Sequence, residues 1–191
     1  MPEDRLMIFI DGSNLDGGAN GFGTQVDCIK LVNMLSEGRN LKRAYYYGSV
    51  HPNPNKDKAI ADSVNGKIGF YHMLEYNGLK TRIIPRRKRN VESKCEKCNH
   101  VTSTETFIEK GVDIALASDV LSLAAANAYD VAIIVSGDYD FREIIDIVQR
   151  RGLIVEVAYF RNHGINKEMI RLADRFIDLE KIISKIERDK R

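Results

Sequence analysis

The sequence lacks a long hydrophobic run. Its first apolar stretch, Leu6 to Ile10, follows two acidic residues and is too short for a signal-peptide core or a membrane span, so the protein is expected in the cytoplasm with no membrane partner. It also lacks a charge excess of either sign. With 29 Lys and Arg against 27 Asp and Glu, the net charge of +2 does not by itself announce a nucleic-acid binder. Cysteine is scarce: three residues, an odd number, do not make a disulfide scaffold and suit a reducing compartment. Neither an internal repeat nor a low-complexity tract is visible. No G-x-x-x-x-G-K-[ST] or G-x-G-x-x-G phosphate loop occurs, because the GANGFG segment after the first apolar run has a different spacing. What remains is 191 residues, 43% hydrophobic and 29% charged, enough apolar mass for one domain with a real core.

Five apolar, β-branched or aromatic runs are present: LMIFI (6–10), KRAYYYG (42–48), LKTRII (79–84), VAIIV (131–135) and LIVEVAYF (153–160). Helical candidates separate them at 26–36, 55–76, 113–127 and 141–151, and another begins at 167. Strands alternating with helices predict an α/β domain with a mainly parallel five-stranded sheet. The first and fourth runs are short and continuously apolar, as strands buried on both faces should be. Beyond Met169, apolar residues at Leu172, Phe176, Leu179, Ile183 and Ile186 recur at steps of three and four. One continuous helix explains that spacing, while the β-rich RFIDL segment is equally readable as a short strand. The domain is expected over 1–180, with a basic loop inserted at 85–104 and a charged helical tail at 181–191.

Chemistry concentrates at strand ends. Asp11 closes the first run in IFIDGSN, Asp138 and Asp140 follow the fourth in IIVSGDYDF, and Asp113 opens a helix in EKGVDIALASD. Ligands of open parallel sheets bind beyond the carboxyl ends of strands where the strand order reverses. If the first and fourth strands are neighbours there, these carboxylates converge. Crowded carboxylates repel unless a cation neutralises them, and an all-oxygen donor set favours Mg²⁺ or Mn²⁺. Such ions support phosphodiester hydrolysis. Gly12 and Gly137 allow close backbone approach, and Ser13, Asn14 and Ser136 offer neutral groups to position water or a phosphate oxygen. An Asp after a strand is also a common turn or helix-capping residue, and Asp138 is well placed for that role. Four at corresponding element ends weigh toward a metal site.

The segments FIDGSN, EKGVDIALASDVLSLAAANAYD, VAIIVSGDYDFREII and RRGLIVEVAYF resemble the NYN domain, in the LabA-like branch of the PIN-like nuclease superfamily. The resemblance implies a Rossmann-like three-layer α/β/α sandwich and a Mg²⁺- or Mn²⁺-dependent ribonuclease site. It assigns the family's acids to Asp11, Asp113, Asp138 and Asp140, the Asn of its DGxN motif to Asn14, and a further recurrent acid to Asp119. Asp119 lies about 240° around an ideal helix from Asp113, so the two cannot point at one ion, and Asp119 is expected to face the sheet or support the site from outside. A haloacid-dehalogenase-type phosphatase needs an Asp where Ser13 stands, and a Toprim-like site needs a Glu at the first strand.

Positive charge gathers in one place. Between Arg82 and Lys97 seven basic residues face two acids, a local excess of +5. Arg86, Arg87, Lys88 and Arg89 suit sequence-independent phosphate contacts, although such a run is also an ordinary solvated surface. Tyr45, Tyr46 and Tyr47 alternate faces if they lie on a strand, which favours packing over base stacking. Cys95, Cys98 and His100 have zinc-chelating spacing but supply only three ligands, so a zinc clip and a reduced, metal-free loop both remain open. Cys28 reads as a buried small hydrophobe, and His163 as a surface or capping residue rather than a base. The functional expectation is an endoribonuclease acting on single-stranded or structured RNA. The alternatives are a non-catalytic RNA-binding module of the same fold, and a homodimer formed through the apolar tail, against which stands packing of that tail on its own sheet.

Overall fold

The computed structural model describes residues 4–52, 58–94, 98 and 100–189. A parallel sheet of six strands forms the centre: β1 (Arg5–Asp11), β2 (Asn40–Val50), β3 (Lys80–Pro85), β6 (Val131–Val135), β7 (Ile154–Tyr159) and β8 (Arg175–Asp178), in the order β3-β2-β1-β6-β7-β8. The sixth strand corrects the five expected. It is the RFIDL segment, so the tail is not one continuous helix: a 3-10 turn (Leu179–Ile182) and a single helical turn, α7 (Ile183–Ile186), follow β8. The helical tail expected over 181–191 is helical only as far as Ile186; Glu187 then bridges to Val26. Met169, Leu179 and Ile186 are buried, and Phe176 and Ile183 pack against the core, so the apolar stripe of the tail is taken up within the chain.

Strand alternation sends side chains to two cores. From β1 and β6, Leu6, Ile8, Ile10, Ile133 and Val135 meet α1 (Gly12–Asn20), α2 (Cys28–Ser36), α3 (Lys58–Tyr76) and α7. Their neighbours Met7, Phe9, Ala132 and Ile134 meet α4 (Val112–Ala125), α5 (Arg142–Arg150) and α6 (Lys167–Leu172) on the other face. The result is the expected α/β/α sandwich. β1 and β6 are buried on both faces, as their unbroken apolar sequences require. Tyr46 enters the first core while Tyr45 and Tyr47 enter the second, and all three are buried, which leaves them no face for a base. Cys28 is buried, as expected.

The basic insertion is a two-stranded antiparallel ribbon rather than a loop, β4 (Arg87–Lys94) paired with β5 (Val101–Ile108), and it forms its own small sheet. It leaves the main sheet at Arg86, whose backbone N–H still donates to the Val50 carbonyl at 2.9 Å. Gly111 returns the chain to the sandwich with a φ of 93°, a left-handed conformation that L side chains avoid, and α4 starts at the next residue. The Gly of the Lys-Gly-Val-Asp segment thereby puts Asp113 in the first turn of α4. Among the described residues no helix is long and apolar enough to cross a membrane.

Candidate functional site

The chain leaves β1 toward β2 and β3, then returns to place β6 against the other edge of β1. Strand order therefore reverses between β1 and β6, and Asp11 and the segment Ser136–Gly137–Asp138 emerge side by side there. Asp11 is 3% exposed and caps α1, accepting from the Asn14 N–H at 3.1 Å. Its other oxygen accepts from the fully buried Ser136 hydroxyl at 3.3 Å. The Asp138 N–H donates back to Ser136 Oγ at 3.2 Å, and Asp138 itself caps the next turn by accepting from the Asp140 N–H at 3.0 Å. Asn14 closes the ring by accepting from the Gly137 N–H at 2.7 Å. Both capping roles that the sequence allowed are thus realised. They use single lone pairs and leave the carboxylates further acceptor capacity.

Ser136 has no exposed surface, so it orients Asp11 and Asp138 and cannot itself touch a substrate. Gly137 is required by a close neighbour: a Cβ there would lie 2.4 Å from the Tyr159 ring. The same Tyr159 donates its hydroxyl to the Asn14 carbonyl at 2.8 Å, locking the start of α1 onto β7.

Asp113 lies across the mouth from α4, and its charge together with that of Glu109 acts on Asp11. Burial, reinforced by these acids, pushes the Asp11 carboxyl up from 3.8 to about 6, against the hydrogen bonds from Asn14 and Ser136 that lower it. Burial also raises the Asp113 carboxyl, and the charges of Asp138, Glu109 and Asp140 raise it further. Asp113 is thus coupled to Asp11 on one side and to Asp138 and Asp140 on the other. Glu109 is a fifth acid that sequence reasoning passed over. It accepts from the hydroxyls of Ser13 and Ser49, and its position four residues ahead of Asp113 in the EKGVD segment was the available signal. Asp119 lies elsewhere, on the sheet side of α4 as its helical angle required, accepting from the Tyr47 hydroxyl at 2.9 Å and pairing with Arg82 at 3.1 Å.

Among the described residues no three His, Cys, Asp or Glu side chains converge closely enough to grip an ion by themselves. The donor set still fits Mg²⁺ or Mn²⁺: every ligand atom is an oxygen, and the charges acting most strongly on the buried Asp11 are acidic. Mg²⁺ in particular is usually held by one or two carboxylates and completes its shell with water and substrate phosphate.

Arg86 joins the basic ribbon to this site. Its Nε donates to Ser49 Oγ at 3.1 Å, and Ser49 in turn donates to Glu109. Arg87, Lys88 and Arg89 are exposed on β4, where alternation puts Arg87 and Arg89 on one face and Lys88 on the other, paired with Glu105 at 2.8 Å. Of the zinc candidates, Cys98 and His100 are exposed and Cys95 lies outside the described residues. His163 packs its ring 4.2 Å from Phe22 and lies 3.4 Å from Glu180, in a structural setting.

The sequence is 25% identical over 189 residues to the Low amplitude and bright protein LabA of Synechococcus elongatus, spanning 98% of this chain and 90% of that one. A crystal structure of a protein of unknown function from Vibrio parahaemolyticus matches with a TM-score of 0.68 at 17% identity over 97% of both chains, which attests the fold. A family model for the NYN domain matches residues 5–180. With that match spanning nearly the whole sequence, the chain belongs to the NYN domain family.

Proposed function

We infer that the protein is a metal-dependent ribonuclease that hydrolyses RNA phosphodiester bonds at the mouth between β1 and β6. One observation carries the reading: a buried carboxylate, Asp11, sits at the sheet's switch point with further acids acting on it, an arrangement that is costly unless a cation completes it. Asp11, Asp113, Asp138 and Asp140 would hold Mg²⁺ or Mn²⁺, directly or through water. The bound ion would polarise the phosphoryl group and make water a competent nucleophile near neutral pH.

The chain's own groups do the positioning. Ser136 and the Asn14 N–H fix the two Asp11 oxygens, and the Asn14 side chain holds Gly137 so that the β6 turn presents Asp138. Glu109 ties α1 and β2 to the site through Ser13 and Ser49. Arg86, with Arg87 and Arg89 on the ribbon, would bear on phosphates of the strand without reading its sequence.

A non-catalytic RNA-binding module of the same fold is the second reading, favoured by the absence, among the described residues, of three acids close enough to hold an ion unaided. Incubation with labelled RNA and DNA in Mg²⁺, Mn²⁺ or EDTA separates the two. The nuclease reading expects metal-dependent cleavage of RNA that Asp138→Asn abolishes while binding persists. RNA binding that survives EDTA, with no cleavage in Mn²⁺, supports the second.

A further inference from the structure

Beside the acid site, over the C-terminal end of β2, lies a cavity of about 300 Å³ between α1, α3 and Arg188. Ser13 and Glu109 belong to both the cavity wall and the acid site. One side is aromatic: the half-buried Phe70 ring lines it, backed by the buried Tyr46 and Tyr71 at centroid distances of 5.5 Å and 5.7 Å. The charged lining is balanced, Asp16 and Glu109 against Lys67 and Arg188. A cavity with no net charge is a poor phosphate site. Donors and acceptors arranged around an aromatic wall instead complement an uncharged heterocycle and its sugar.

Two further features shape the cavity wall. Gly66 lines the cavity from within α3, where glycine weakens a helix, and a Cβ built on it meets nothing within 4 Å. Packing does not demand glycine there; a side chain would project into open space. On the opposite wall Arg188 is fixed in place, its backbone N–H donating to the Gln25 carbonyl at 2.8 Å and its Nη1 to Gln25 Oε1 at 2.9 Å, with the guanidinium 5.5 Å from the Phe70 ring. A second cavity of about 750 Å³ shares Gln25, Gly66, Phe70 and Arg188 and leads onward along α3. The first cavity is thus open at its far end, as a continuing strand needs and a lone nucleotide does not.

We propose that this cavity is a nucleoside subsite that takes the base and ribose next to the phosphate lying at the acid site. The substrate, an RNA strand, rests on the ribonuclease reading; the binding test below does not. AMP, GMP, CMP and UMP, and then a trinucleotide RNA carrying the preferred base, are titrated by NMR in EDTA into the full chain and its variants. At least one mononucleotide is expected to bind the wild type, and the trinucleotide to bind no more weakly. Gly66→Leu, which places a bulky side chain on the cavity wall and is a better helix former, should weaken binding at least tenfold with thermal unfolding intact. If Gly66→Leu fails to fold, Lys67→Met serves, with a severalfold loss expected. Binding to none of the four mononucleotides, or equal binding by a folded Gly66→Leu protein, overturns the subsite. A mononucleotide preferred tenfold over the trinucleotide overturns it as a strand site. Nucleotide binding as expected without RNA cleavage sinks the nuclease reading alone; cleavage with base preference indifferent to Gly66→Leu sinks the subsite alone.

Discussion

Replacing Asp11 by Asn is expected to stabilise the metal-free protein. The Asp11 carboxyl is 3% exposed, and burial with the nearby acids raises it from 3.8 to about 6. A folded-state value above the unfolded one means that ionising this group costs the fold about 3 kcal/mol at pH 7, at 1.36 kcal/mol per pH unit. Well below pH 3.8 the carboxyl is protonated in both states and the cost vanishes; it grows as the pH rises from there toward 6 and is complete above that. Asn keeps an oxygen for the Asn14 N–H and carries no charge. At roughly 2–4 °C per kcal/mol for a chain of this size, the midpoint should rise by up to about 10 °C. The assay is thermal unfolding by circular dichroism in EDTA from pH 4 to 8. The gain should be small at pH 4, near its full size soon after pH 6 and constant from pH 7 to 8. Mn²⁺ at pH 7 should then narrow the gap by stabilising the wild type. An Asn variant no more stable than wild type at pH 7, or a gap equal at pH 4 and pH 8, would mean that Asp11 is not held ionised at a cost to the fold.

The opposite sign is expected at Asp130, which hydrogen bonds from Arg5 hold down at about 2. Because the pair is over a third exposed, solvent screening limits its worth to about 0.5–1 kcal/mol. Asp130→Asn should lose that stability at pH 7, with the deficit persisting to about pH 4 and disappearing toward pH 2, as acid unfolding curves would register. On the ribbon, the double variant Arg87→Gln/Arg89→Gln should weaken RNA binding and flatten its dependence on log salt by about 1.4, at about 0.7 per lost single-strand phosphate contact. Fluorescence anisotropy across a salt series measures this, and an unchanged slope removes the ribbon from the interface.

The parts of the fold legible in the sequence are those where local pattern and burial agree. LMIFI and VAIIV are apolar throughout because they lie between two helical layers, and their adjacency is what lets Asp11 and Asp138 meet. α1 was not legible: GSNLDGGAN holds three glycines, and the helix depends on tertiary contacts, with Leu15 buried and Gly18 so close to Phe160 that a Cβ would lie 2.4 Å from its ring. The ribbon was hidden by its exposure. Its strands carry Arg, Lys, Ser and Thr with Val91 and Val101 open to solvent, so no apolar run marked them. In the site, the four Asp residues stood out through their motifs, whereas Glu109 could not be told from a solvated acid until the fold brought Ser13 and Ser49 to it.

Whether the acids at the β1–β6 mouth cut RNA is decided by cleavage of a 5′-labelled single-stranded RNA under single-turnover conditions, wild type beside Asp138→Asn. The expected result is a product ladder in Mg²⁺ or Mn²⁺ that EDTA abolishes and fresh metal restores, and a rate at least a hundredfold lower for a variant that still binds the RNA. Equal cleavage by Asp138→Asn in metal-replete buffer, or wild-type cleavage that persists in EDTA, contradicts it.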